Sequence, residues 1–151
     1  MNLRPVGLAS IAVAVAAAAG CGGNSNATPK EDPGAVMQAV VKHELAGERT
    51  VTYGMLVREQ RKAISPALYK RCSPGAPLKG AATVGILGVR DEQFAVPALG
   101  KTDTKAVRYR ISFRDGMAPV ASTGHLIAQD GHWRWTLSAA SFDSLSGGSC
   151  P

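Results

Sequence analysis

The chain reads as an α+β domain, with N-terminal helices packed on one face of a curved antiparallel sheet. Two observations predict this class. Met37, Val40, Val41 and Leu45 recur at i, i+3, i+4 and i+8, the stripe of a helix buried on one side. Val107, Tyr109, Ile111 and Phe113 alternate with Arg108, Arg110, Ser112 and Arg114, the pattern of a half-buried strand.

The chain opens as a secretory signal does. Arg4 and the amino terminus are positive, and Val6 to Ala19 is an apolar core of 14 residues. That is shorter than the roughly 20 residues a spanning helix needs. The run Ala18-Ala19-Gly20-Cys21 follows. Small residues there let a peptidase reach the backbone, and the thiol can accept lipid. The run resembles the lipobox of bacterial lipoproteins, with Ala18 where Leu is usual, a departure tolerated in high-GC Gram-positive bacteria. Residues 1–20 are therefore expected to be removed, leaving Cys21 lipidated on the extracytoplasmic face of a cell membrane. The segment 21–34 is expected to be a flexible tether of Gly, Asn, Ser and Pro, and 35–151 a single domain.

The elements of that domain follow in order. The first helix stops at Gly47. A second carries Tyr53, Leu56, Val57 and Ile64 on one face, with Arg58, Glu59, Arg61 and Lys62 mainly outside it. Ser65 reads as an N-cap with Pro66 at the first helical position, and the short helix ends at Cys72 before Ser73-Pro74-Gly75-Ala76-Pro77. The period then becomes two. Thr83 to Val89 is a strand, interrupted at Asp91-Glu92 and continued by Phe94 to Val96. Strands at 107–113 and 125–129 follow, with turns at Asp115-Gly116 and Asp130-Gly131. Trp133, Trp135 and Leu137 alternate with His132, Arg134 and Thr136, which places both tryptophans in the core.

Setting Cys21 aside leaves Cys72 and Cys150 in an oxidising compartment. A disulfide between them is the simplest outcome. Two free thiols or a metal site are the alternatives, and no histidine lies near either cysteine in sequence. The bond would close a loop of about 80 residues, worth roughly 4–5 kcal/mol on the loop-entropy account.

A family resemblance rests on three segments: Ser65-x-x-x-Tyr69-x-x-Cys72, Asp91-Glu92-Gln93-x-x-Val96-Pro97 with Ala106-Val107, and Trp133-Arg134-Trp135-x-Leu137-Ser138 ending in Gly148-x-Cys150-Pro151. The chain resembles small actinobacterial secreted lipoproteins with a nuclear transport factor 2-like (cystatin-like) domain. The resemblance implies that family's cone-shaped fold and assigns no activity.

Without residues 1–20 the side chains carry 16 basic and 11 acidic groups, a balance of +5 with no block of like charge. Attraction to anionic lipid or wall polymer follows. Nucleic acid is a poor partner for an exported, anchored chain without a binding motif, and none is expected. Arg108, Arg110 and Arg114, with Arg134 on another strand, form a candidate anion-binding face. The plainer reading is a solvated sheet face whose arginine stems cover backbone.

Asp91, Asp103, His125, Tyr53 and Tyr109 are of the types that an acid/base site in a cone would use. The two aspartates fall at expected strand ends or turns, and His125 at a strand start. No catalytic residue is therefore assigned. His43, His125 and His132 share no ligand spacing, so no metal and no cofactor is expected. The expected function is a non-catalytic, lipid-anchored binding or accessory protein of the cell envelope, contacting an envelope polymer or a protein partner. The alternative is a small isomerase- or dehydratase-like enzyme acting in the cone on an apolar substrate. A sealed or apolar cone favours the first, and a carboxylate and tyrosine converging on its floor favour the second.

Lipidation should depend on Cys21, because the apolar core is too short to hold the chain in a bilayer by itself. Intact-mass analysis of the membrane fraction should find a product starting at Cys21 with acyl mass added. A Cys21→Ala chain that remains equally membrane-bound would refute it.

Overall fold

The computed structural model describes residues 28–72 and 82–151. The expectations for the signal segment, for Cys21 and for the break at 73–77 lie outside the described residues. Helix α1 spans Pro33–Leu45, α2 Arg49–Met55, α3 Arg58–Ala63 and α4 Pro66–Arg71. Strands β1 Ala82–Val96, β2 Gly100–Phe113, β3 Val120–Gln129 and β4 His132–Trp135 follow, then α5 Ala139–Ser146. The strands form one antiparallel sheet in the order β1-β2-β3-β4. The domain is α+β, with its helices first and a four-stranded antiparallel sheet after them.

Local chemistry explains several element ends. Asp32 caps α1, its side chain accepting from Ala35 N at 2.7 Å, with Pro33 next in the first turn. Ser65 caps α4 in the same way, accepting from Leu68 N at 3.1 Å. At Asp130-Gly131 both residues have positive φ, 55° and 76°, which turns β3 tightly into β4.

Helix α1 lies across one face of the sheet. Met37, Val40 and Val41 pack there with Val84, Val107, Leu126 and Trp133. Gly124 makes the contact close: a Cβ on it would stand 2.5 Å from Met37 Cε. A second cluster joins Leu56, Ile64, Leu68, Tyr69, Cys72, Leu137 and Leu145. A third, smaller one lies on the opposite face and joins Val57, Val96 and Ile127.

Three local expectations need correction. The domain begins before residue 35: Glu31 already accepts from Trp133 N at 3.3 Å, and its carbonyl from Trp133 Nε1 at 2.9 Å. The second helix is two, because Leu56 and Val57 are extended. Strand β1 runs unbroken through Asp91-Glu92, and its register shifts instead between Ile86 and Gly88. Helix α5 closes the fold, with Ser138 capping it by accepting from Ser141 N. Ser149 is tied back, its N–H donating to Ser144 O at 2.9 Å, so the C-terminal segment is held by more than sulfur.

Cys72 and Cys150 form a disulfide, their Cα atoms 5.1 Å apart across a separation of 78 residues. Non-reducing peptide mapping should recover the linked peptides. Reduction should lower stability by a few kcal/mol, the loop-entropy value of roughly 4–5 being an upper limit. Hydrogen exchange should then rise first at 147–150, since Leu145 stays buried and keeps α5 docked. Two quantitatively alkylatable thiols in native protein would contradict the bond.

Candidate functional site

On the helix-covered side of the sheet lies a partly open cleft of about 550 Å³. Its walls come from α1, α4, the later half of β2, the first half of β3, and the C-terminal segment. Met37, Val40, Val41, Leu45, Ile111 and Leu137 make much of it apolar. Ser122, Ser138 and Ser141 add hydroxyls, and the Cys72–Cys150 bond forms part of one side. Volume and lining suit a small ligand with an apolar body.

One charged network reaches this cleft. The carboxylate of Glu44, near the end of α1, accepts from Tyr69 OH at 2.9 Å and from Arg49 Nη1. Arg49 Nη2 donates to the carbonyl of Cys72 at 2.5 Å, and the guanidinium lies 4.7 Å from the centroid of the Tyr69 ring. The Thr52 hydroxyl is 3.3 Å from Tyr69 OH, and the Tyr53 ring leans on that of Tyr69 with centroids 5.5 Å apart. Burial first, then the neighbouring Glu44 carboxylate, push the Tyr69 phenol well above its ordinary range. Its proton therefore stays with the Glu44 bond at neutral pH. Arg49 Nε is buried without a hydrogen-bond partner among the described residues.

Convergence of Glu44 and Tyr69 could not be read from spacing. Glu44 and Arg49 are five residues apart across the helix break at Gly47, where helical periodicity predicts nothing. The only signal was Tyr69 itself, a large aromatic on the short helix α4.

The residues weighed for acid/base chemistry do not assemble. Tyr53 OH donates to the carbonyls of Arg61 and Ile64, at 2.9 and 3.0 Å. Asp91 pairs with Lys105 at 2.5 Å, and Asp103 accepts from Gln93 at 3.1 Å. Both aspartates lie within strands, not at ends or turns. His125 also lies mid-strand. It stacks on Phe94 with centroids 3.8 Å apart, and its Nε2 is 3.9 Å from Glu92. Burial, outweighing the attraction of Glu92, holds its pKa below the usual histidine value. Among the described residues, no three of His, Cys, Asp and Glu gather closely enough to hold a metal ion.

The four arginines of the expected basic face are divided. Arg108 and Arg110 are exposed on the sheet side opposite α1. Arg90, across the β1–β2 ladder, joins them there. Arg134 has the same parity but donates to Gly54 O at 3.1 Å. Arg114 lies beyond the end of β2. Trp133 and Tyr109 pack towards α1 on the other side.

The Tyr69 phenol is held protonated in the fold, so its folded pKa exceeds its unfolded value of about 10. The stability this gives is complete below pH 10 and is lost as pH rises above it, where only the unfolded chain ionises. Tyr69→Phe should flatten that alkaline loss in denaturant titrations. At neutral pH it should cost about 1.5–3 kcal/mol, because Glu44 loses a donor. An unchanged alkaline limb would show that Tyr69 does not stay protonated in the fold. No protein-family model, curated protein or solved structure matches the chain.

Proposed function

We propose that this chain is a lipid-anchored extracytoplasmic binding protein of the cell envelope, with the cleft between α1, α4 and the sheet as its ligand site. The anchor is Cys21, and the fold is read as a nuclear transport factor 2-like cone opening at that cleft. The observation that carries the binding role is the state of the cleft's polar groups. A carboxylate and a tyrosine do converge there, the arrangement expected of the enzymatic alternative. Both are committed to each other and to Arg49.

General acid/base catalysis needs a group whose proton is free to move near neutral pH. Tyr69 is too weak an acid, and both oxygens of Glu44 accept from neighbours. The network instead shapes a rigid polar end to an apolar cleft, and it ties α1, α2 and α4 to the carbonyl beside the disulfide. Such a site selects a molecule with an apolar body and a polar head, and changes nothing in it. The isomerase- or dehydratase-like reading becomes the better one only if an apolar substrate is turned over.

An amphipathic fluorophore such as anilinonaphthalene sulfonate tests the site. It should bind the folded protein saturably, with emission enhanced by the apolar walls. Ser122 is exposed at the cleft wall, so Ser122→Trp fills the space without disturbing the core. That variant should weaken binding by tenfold or more, about 1.4 kcal/mol, with thermal stability retained. Equal binding by Ser122→Trp would remove the cleft as the site.

A further inference from the structure

The sheet face turned away from α1 carries a separate pattern. Arg108 and Arg110 follow one another on that side of β2, and Arg90 lies one diagonal step away on β1. The strand register sets Gly88 and Thr123 beside Arg108, and Gly85 and Ala121 beside Arg110. Small residues thus surround the arginines. Only Arg90 is compensated, by Glu92 at 2.9 Å. No carboxylate among the described residues pairs with Arg108 or Arg110. Like charges on neighbouring cross-strand positions destabilise a sheet, so the arrangement asks for an external anion.

The same end of the sheet exposes apolar side chains. Leu87 is 42% exposed at the register shift of β1, and Met117 is 49% exposed in the β2–β3 turn. Cations next to protruding aliphatic groups fit a bilayer interface, which takes both. A hydrated polyanion would need the arginines alone.

We infer that this face, built from Arg90, Arg108 and Arg110 with Leu87 and Met117 at its rim, is a docking surface for a membrane of anionic lipids. The inference rests on the proposed anchor at Cys21. Glu31, which is hydrogen-bonded to β4, lies ten residues after Cys21, and an extended chain of that length reaches at most about 36 Å. Strand β3 is roughly 33 Å long. An anchor of this reach lets the sheet lie face-down on the headgroups, and the ligand cleft on the helix side then opens away from the membrane.

The acylated protein should be placed on vesicles of phosphatidylcholine alone and on vesicles also containing phosphatidylglycerol, then treated with phenylglyoxal. Modification of Arg108 and Arg110 should slow roughly tenfold on the anionic vesicles and recover in molar salt. Arg71, exposed on the helix side, should react equally on both. In Leu87→Ser with Met117→Ser the protection should fall while circular dichroism stays unchanged. Equal rates for Arg108 and Arg110 on neutral and anionic vesicles overturn the inference. So does equal protection by soluble polyphosphate, or protection unaffected in the double variant, since either assigns the face to a polyanion. A chain that does not remain on the neutral vesicles refutes the anchor at Cys21, a different result from these.

Discussion

Trp135 is the joint on which the two halves of the domain depend. Its carbonyl accepts from Val57 N at 3.0 Å, and its indole donates to Thr52 O at 2.9 Å. Leu56 bridges it in parallel, so the extended pair Leu56-Val57 adds a short fifth lane beside β4. The ring packs against both of the larger clusters. This accounts for the break between α2 and α3. Adjacent residues of an extended segment point to opposite sides, whereas neighbours on a helix lie only about 100° apart. Leu56 enters the helix-side cluster and Val57 the cluster on the other face, both fully buried. A continuous helix could not bury both in that way.

Gln60 completes the junction. It is fully buried, and both ends of its amide are used. Its nitrogen donates to Pro97 O at 3.3 Å, and its oxygen accepts from Leu137 N at 2.9 Å. The side chain thus links α3 to the β1–β2 turn and to the segment leading into α5. A buried amide left half satisfied would cost about 1–3 kcal/mol, so the bonds fix geometry as well as add stability. The orientation of the cleft walls follows from this junction, because Leu137 belongs to them.

What could be read along the chain was whatever repeats locally. The stripe Met37 to Leu45 and the alternation from Val107 to Phe113 each need only their own residues, and both elements stand where periodicity put them. Ser65 with Pro66, and Asp130 with Gly131, act through the nearest peptide groups. What escaped depends on distant partners. Leu56 and Val57 look helical until Trp135 offers a strand to pair with. Asp91 and Glu92 look like a break, yet charges are at home on an exposed strand, and Lys105 meets Asp91 across the ladder. Helix α5 is short and rich in serine, and only Leu145 anchors it firmly. The network of Glu44, Arg49 and Tyr69 comes from three different helices, so no window of sequence contains it.

Cleft and basic face are two outcomes of a single register. Along β2, odd-numbered residues Val107 and Tyr109 meet α1 while even-numbered Arg108 and Arg110 meet solvent. A slip of one residue would bury guanidiniums under Met37 and expose aromatic rings, at a cost no local preference could offset. Three features oppose such a slip. The positive φ values at Asp130 and Gly131 set the β3–β4 pairing. Gly124 admits Met37 at only one point along β3, because any side chain there would collide with it. The irregularity between Ile86 and Gly88 lets β1 keep Val84 and Ile86 towards α1 and, beyond it, Arg90 outward beside Arg108. That same irregularity leaves Leu87 protruding at the edge. The feature that preserves the core on one side therefore creates the apolar rim beside the arginines on the other.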